Sequence, residues 1–399
     1  MEKLYAYHDN MLKQVPGKHF RYLHDRINWN QRLIAIKGPR GGGKTMLMLQ
    51  RIRYGLENLS PDKVLYTTAD HHWFLTHDLY DTADDFVRNG GKCLMIDEIH
   101  RYPGWSRALK NIYDGLPELK VVVTSSSALD LYRGETDLSR RLTTFELPGL
   151  SFREYLGFSG QLTLNPLTLD DLAKNHRQIA MEINQRIKPI PAFNTYLVSG
   201  YLPLFMEDIQ EDYLFKLSRI AQTVIESDLA VIGGYNAGTA YKVKKLLGVI
   251  AESVPFKPNI AALARKLDVS RDSVYDWLTH LSLAKLINPL QAFNKGTSRL
   301  QKPEKIFFEN PNSAYAFLES PNRGSIRETF VMNQLMNAGY APIAPAYGDF
   351  LVDDMVIEVG GRSKTWSLKE QTDNMIIAAD DLEIGYGRKI PLWMLGLMY

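Results

Sequence analysis

Three consecutive segments constrain this chain more than anything else in it. An apolar run, Leu33-Ile34-Ala35-Ile36, leads into Gly38-Pro39-Arg40-Gly41-Gly42-Gly43-Lys44-Thr45, which leads into Met46-Leu47-Met48-Leu49-Gln50-Arg51-Ile52. The first reads as a buried strand and the last as a helix. Strand, glycine-rich turn and helix is the setting that the pattern G-x-x-x-x-G-K-[ST] requires. Glycine lets the backbone wrap a phosphate where a Cβ would block the approach. Backbone N–H groups and the positive helix end then hold a β-phosphate. Lys44 reaches the β- and γ-oxygens, and the Thr45 hydroxyl is placed for a metal. The expected ligands are ATP and Mg²⁺.

A second element, Cys93-Leu94-Met95-Ile96-Asp97-Glu98, reads as a central parallel strand with two carboxylates at its C-terminal end, where open α/β sheets bind ligands. Asp97 is expected to hold Mg²⁺ and Glu98 to polarise the attacking water. Val64-Leu65-Tyr66-Thr67-Thr68-Ala69-Asp70 and Val121-Val122-Val123-Thr124-Ser125-Ser126-Ser127 fit the same sheet. The hydroxyls ending the latter have two open readings, a γ-phosphate sensor or a helix N-cap. An amphipathic helix between Glu98 and Val121 puts Leu109, Ile112 and Tyr113 on one face. Arg140 and Arg141 follow, either as an arginine finger or as a salt-bridged basic pair. The expected nucleotide-binding set is Gly38, Pro39, Arg40, Gly41, Gly42, Gly43, Lys44, Thr45, Met46, Asp97, Thr124 and Ser125. Lys44, Glu98, Arg140 and Arg141 are the catalytic candidates, and Thr45 and Asp97 the metal ligands.

The length of 399 residues suggests two to four domains, and 45% hydrophobic with 23% charged residues excludes a largely disordered chain. A net charge of +2 gives no global basic field, so nucleic acid would need a local patch. The one cysteine, Cys93, permits no disulfide framework and reads as a small core residue. The first residues have no apolar signal core, and no stretch reaches the roughly 18 apolar residues of a membrane span. These features lead us to expect a cytoplasmic protein. Pro391 to Tyr399 is apolar and reads as a buried strand. His71, His72 and His77 lack cysteine or spaced carboxylate partners, and read as loop or core residues rather than a metal site.

The chain resembles a family of prokaryotic AAA+ ATPases with a DUF4143-like C-terminal half. The resemblance rests on the Gly38–Thr45 loop (Walker A), on Ile96-Asp97-Glu98-Ile99-His100-Arg101-Tyr102-Pro103-Gly104-Trp105 (Walker B and beyond), and on Thr124-Ser125-Ser126-Ser127. Leu138-Ser139-Arg140-Arg141 and Gly149-Leu150-Ser151-Phe152-Arg153-Glu154-Tyr155-Leu156 extend it. It implies an α/β P-loop core with a parallel sheet over 1–156, a helical lid over 157–235, a winged helix-turn-helix over 236–310 and a nuclease-like α/β domain over 311–399. It also implies nucleotide contact by Arg140 or Arg141.

The residues themselves give similar divisions. Gly157-Phe158-Ser159-Gly160 and Gly233-Gly234-Tyr235-Asn236-Ala237-Gly238 read as boundaries. Val243, Leu246, Leu247 and Ile250 share a helical face, as do Ile260, Leu263, Ala264 and Leu267. Ser270 caps a third helix carrying Val274, Leu278 and Leu281 inward. Leu286–Leu290 and Lys305–Phe308 read as wing strands. The third helix would expose Arg271, Asp272, Asp276 and His280, which is not strongly basic, while the wing carries Lys295, Arg299 and Lys302. DNA binding and protein contact both stay open. After Glu328 on a helix, Asp349 and Glu358 fit a restriction-type metal site, yet Gly360 stands where the lysine belongs. Lys364 is a candidate replacement; two acids without the lysine more often mean a degenerate fold.

The leading expectation is an ATPase that uses hydrolysis to drive or switch a change in its C-terminal half, with a homo-oligomer or protein partner as its setting. The alternative is an ATP-gated DNA-acting protein, a nuclease or regulator.

Overall fold

Near-continuous apolar strands need cover on both faces, and the first 149 residues provide it. The computed structural model describes residues 1–17, 19–55, 60–125, 138, 140–207, 209–229, 234–292, 302–365 and 374–399. The chain separates into two compact units, Met1–Gly149 and Leu150–Tyr399. The sequence-expected core edge at 156 therefore falls inside the second unit.

In the first unit, helix α1 (Glu2–Lys13) precedes a short helix α2 (Leu23–Arg26), strand β1 (Leu33–Lys37) and helix α3 (Lys44–Gly55). Strand β2 (Val64–Thr68), helix α4 (Leu79–Arg88), strand β3 (Cys93–Asp97), helix α5 (Trp105–Gly115) and strands β4 (Lys120–Ser125) and β5 (Thr143–Glu146) follow. The strand order is β2-β3-β4-β1-β5, with every pairing parallel. Side chains alternate across the sheet. Leu33, Ala35, Leu94, Ile96, Val121 and Val123 join Phe86 of α4 and Leu109 and Ile112 of α5 on one side. Ile34, Ile36, Cys93, Met95 and Val122 join Leu47, Met48 and Leu49 of α3 on the other. Cys93 is a core residue, as expected, and burial pushes its thiol up to about 12. Asp78 caps α4 by accepting from the Tyr80 N–H at 2.7 Å. Because β1 lies between β4 and β5, its C-terminal end is the sheet's switch point, where the glycine-rich turn leaves it.

The second unit begins with helices α6 (Phe152–Phe158), α7 (Leu169–Asn184), α8 (Pro189–Ser199) and α9 (Gln210–Thr223). Ser151 and Glu154 form a capping box at α6. Helices α10 (Ala237–Ala251), α11 (Ile260–Leu267) and α12 (Arg271–Leu283) bury the apolar faces that their spacing predicts. An antiparallel pair, β6 (Ile287–Leu290) and β7 (Lys305–Phe308), follows them. Lys295 and Arg299 lie outside the described residues. Helices α13 (Pro311–Phe317) and α14 (Arg323–Asn337) precede a sheet ordered β11-β10-β9-β8. Its strands are β8 (Phe350–Val352), β9 (Met355–Gly360), β10 (Met375–Ala379) and β11 (Lys389–Pro391). β8 runs antiparallel to β9, and β9, β10 and β11 are parallel.

One sequence expectation is corrected here. The apolar C-terminus is not a strand: Leu392–Leu397 is a 3-10 helix with every residue buried. A short, fully buried apolar run carries no periodicity to separate helix from strand.

Candidate nucleotide site

The turn between β1 and α3 is moulded onto its own sheet. Leu147, just past β5, donates its N–H to the Lys37 carbonyl at 2.8 Å. Its carbonyl lies 2.1 Å from where a Cβ on Gly38 would sit, so only glycine fits. Gly43 enters α3 at φ +91°, in the region that glycine occupies without strain. Arg21 closes the turn from behind. Only 3% exposed, it donates through Nη1 to the Gly42 carbonyl, and through Nη2 to the carbonyls of Pro148 at 2.8 Å and Gly149 at 3.0 Å. No sequence pattern pointed to Arg21.

Within the turn, Lys44 Nζ donates to the Gly38 carbonyl at 2.9 Å and the Pro39 carbonyl at 2.8 Å. These bonds fold a buried ammonium back onto the loop that it follows. Thr45 Oγ1 donates to Asp97 Oδ2 at 2.5 Å, which joins the start of α3 to the end of β3. Asp97 is 5% exposed and takes two further hydroxyls, Tyr66 OH at 3.1 Å on Oδ2 and Thr124 Oγ1 on Oδ1. Burial, with the Asp97 charge beside it, drives the Tyr66 phenol pKa upward. Tyr66 was read as strand alone, because its role depends on β2 lying beside β3.

A cavity of about 280 Å³ opens over the loop, lined by Arg40, Gly41, Gly43, Lys44, Thr45 and Met46, with Glu98, Met11 of α1 and Gln14 just after it. Glu98 sits in the left-handed region at φ +52°, and its N–H donates to Thr124 Oγ1 at 3.0 Å. Ser125 Oγ pairs with His100 Nδ1 at 3.0 Å. The hydroxyls of Thr124 and Ser125 are thus turned to the β3 acids and their neighbour, while Ser126 and Ser127 lie outside the described residues. So do Asp137 and Ser139.

The basic pair divides. Arg141 makes a bidentate pair with Asp114 of α5, Nε to Oδ1 at 2.9 Å and Nη2 to Oδ2 at 3.0 Å. That is the salt-bridged alternative. Arg140 is exposed. His71 Nδ1 accepts the Trp73 N–H at 3.1 Å, and His77 stacks on the Trp73 ring at 3.6 Å. Among the described residues no group of three or more His, Cys, Asp or Glu is placed to hold a metal.

In the second unit, Lys305 Nζ lies 2.9 Å from Glu328 Oε2 and 3.3 Å from Asp349 Oδ1. Asp349 Oδ2 accepts the Val359 N–H at 2.9 Å, and Lys364 pairs with Glu358. Burial first, then the Asp349 charge, raises the Glu328 pKa. The three acids and Lys364 do converge, but an ammonium fills the space between two of the acids.

The parallel sheet with its turn at the switch point defines a P-loop nucleotide-binding domain. Residues 30–156 match the family model described as AAA domain. In place of the DUF4143-like half that the resemblance implies, residues 190–321 match a domain of unknown function, DUF8612. An uncharacterized protein of Methanocaldococcus jannaschii is 26% identical over 292 residues, 70% of this chain. The match spans only 61% of that relative's own length. Among solved structures, the Walker-type ATPase of Pyrococcus abyssi is similar at 12% identity and a TM-score of 0.44, over 77% of this chain and 99% of that one. PCH-2 of C. elegans is similar at 21% identity and a TM-score of 0.25, over 45% of this chain and 54% of that one. No described helix is long and apolar enough to cross a membrane.

Proposed function

We propose that the first unit binds ATP with Mg²⁺ over the Gly38–Thr45 turn and hydrolyses it. The observation that carries this reading is the bond from Thr45 Oγ1 to Asp97 Oδ2, beside a cavity whose wall includes Glu98. The donor set is hydroxyl and carboxylate oxygen, which suits a hard divalent cation. Thr45 and Asp97 would hold Mg²⁺, which would neutralise charge on the phosphate oxygens. Lys44 supports the same reading, since its ammonium is held at the loop by the Gly38 and Pro39 carbonyls. Water would attack the γ-phosphorus as the bond to the β–γ bridging oxygen breaks, releasing ADP and inorganic phosphate. Glu98 would orient that water and accept its proton.

Hydrolysis would drive or switch a change in the C-terminal half. A homo-oligomeric assembly would give the exposed Arg140 a neighbour's nucleotide to meet. The nuclease form of the DNA-acting alternative has less support, because the ammonium of Lys305 stands between Glu328 and Asp349. The test measures phosphate release and binding of a fluorescent ATP analogue in wild type, Lys44→Ala and Glu98→Gln. The reading expects Lys44→Ala to lose binding, and Glu98→Gln to bind but not turn over. Undiminished turnover in Glu98→Gln would remove Glu98 from the mechanism.

A further inference from the structure

Glu98 is held from two sides by consecutive residues of β4, and one of the two holds passes through a histidine. Its backbone N–H bonds to Thr124 Oγ1 at 3.0 Å, which fixes the left-handed φ of +52°. A 3-10 turn over Ile99–Arg101 follows and carries His100. His100 Nε2 lies 3.4 Å from Glu98 Oε2, with the imidazole side chain only 7% exposed. The other ring nitrogen, Nδ1, lies 3.0 Å from Ser125 Oγ. An imidazole engaged at both nitrogens is fixed in its plane and tautomer. Here the consistent assignment is Nε2–H toward the carboxylate and Nδ1 accepting from the serine hydroxyl.

We propose that His100 is a positioning residue for Glu98, coupling the end of β4 to the carboxylate that orients water. The inference rests on the hydrolytic reading above and adds a residue to it. Ser125 pairs in register with Lys37 at the end of β1, directly before the turn that would receive phosphate. The path Ser125–His100–Glu98 therefore begins beside the phosphate loop and ends on the carboxylate. Burial, with Arg101, Arg40 and Lys44 nearby, pulls the His100 pKa down to about 4. The ring is thus neutral at pH 7: it faces Glu98 Oε2 through Nε2 at 3.4 Å and leaves the carboxylate its negative charge, which an imidazolium would have offset. Arg101 Nε is 3.7 Å from the same oxygen but its side chain is 38% exposed, a looser and better-screened restraint.

The test compares kcat, KM for MgATP, analogue affinity and melting temperature in wild type, His100→Ala, His100→Gln and Ser125→Ala. Expected results are a kcat at least tenfold lower in His100→Ala with KM and analogue affinity within twofold of wild type. His100→Gln, which keeps an amide donor toward Glu98, should recover a large part of the rate. Ser125→Ala should lower kcat in the same direction and by less. An unchanged kcat in His100→Ala would overturn the proposal. So would a rate loss matched by equal losses of affinity and melting temperature that His100→Gln leaves unrescued. Should His100→Ala not fold, His100→Gln and Ser125→Ala decide: wild-type rates in both overturn it. A wild-type protein that binds the analogue but releases no phosphate ends the hydrolytic reading itself, and this proposal with it.

Discussion

Thr45 at the start of α3 and Asp97 at the end of β3 are 52 residues apart in sequence and share a hydrogen bond of 2.5 Å. On the proposed function, these two oxygens would supply two of the six ligands of an octahedral Mg²⁺. Thr45→Ala removes one donor and leaves Asp97 with Tyr66 and Thr124. We expect the Mg²⁺ concentration for half-maximal phosphate release to rise on the order of 10- to 100-fold. Thr45→Ser keeps the oxygen and should stay near wild type. A Mg²⁺ titration at saturating ATP reads the difference, and identical curves for Thr45→Ala and wild type would exclude the hydroxyl from the metal shell.

Gly38→Ala meets a different obstacle. Its Cβ would stand 2.1 Å from the Leu147 carbonyl, a backbone atom fixed by its own bond to Lys37. Either the turn or the β5 exit must move, at a cost of about 1–3 kcal/mol. Analogue affinity should fall at least about tenfold, equivalent to 1.4 kcal/mol, and the melting temperature should fall with it. Full affinity in Gly38→Ala would mean that the turn tolerates the displacement.

His100 makes stability depend on pH. Its pKa is pulled from 6.5 to about 4 in the fold, so on acidification the unfolded chain takes up the proton first. The neutral ring's contribution is fully present above pH 6.5 and is lost as pH falls toward about 4. The shift corresponds to about 3 kcal/mol. Burial first, then Arg101, Arg40 and Lys44, oppose protonation, while Asp97 favours it, and the Glu98 carboxylate faces the ring at 3.4 Å. Urea denaturation of wild type and His100→Gln across pH 4 to 7 should show the wild type losing more stability over that window. Parallel curves would show that the ring does not titrate between those limits.

The phosphate loop and the β3 acids were legible because each is a contiguous pattern whose chemistry depends on neighbouring residues. Helix faces such as Ile260, Leu263, Ala264 and Leu267 were legible through their period. Arg21 was not, since its acceptors at Gly42, Pro148 and Gly149 come together only when β5 lies beside β1. His100 stood inside the quoted segment without a role, because Ser125 reaches it across the sheet. Arg141 was ambiguous for the same reason: its partner Asp114 lies on α5. Each of these residues acts through partners that folding supplies.

Asn312 is the clearest case of that kind in the second unit, and it carries the last prediction. Fully buried, it donates through Nδ2 to the carbonyls of Tyr196 at 2.9 Å and Leu197 at 2.8 Å. Its Oδ1 accepts the Tyr201 N–H at 2.8 Å and the Tyr213 hydroxyl at 2.6 Å. One amide therefore satisfies the C-terminal turn of α8 and the segment after it. Asn312→Ala would strand the Leu197 carbonyl, the Tyr201 N–H and the Tyr213 hydroxyl proton, while the Tyr196 carbonyl keeps the Gly200 N–H; each stranded group costs about 1–3 kcal/mol when left unpaired, though not additively. We expect a loss of at least about 3 kcal/mol. Asn312→Asp keeps both acceptor contacts but turns a carboxylate oxygen onto two carbonyls, so it should be no better than alanine. Denaturant unfolding of the full chain would show the second unit's transition moving to lower urea in both variants. An Asn312→Ala transition within about 1 kcal/mol of wild type would mean that water or a side-chain shift replaces the amide.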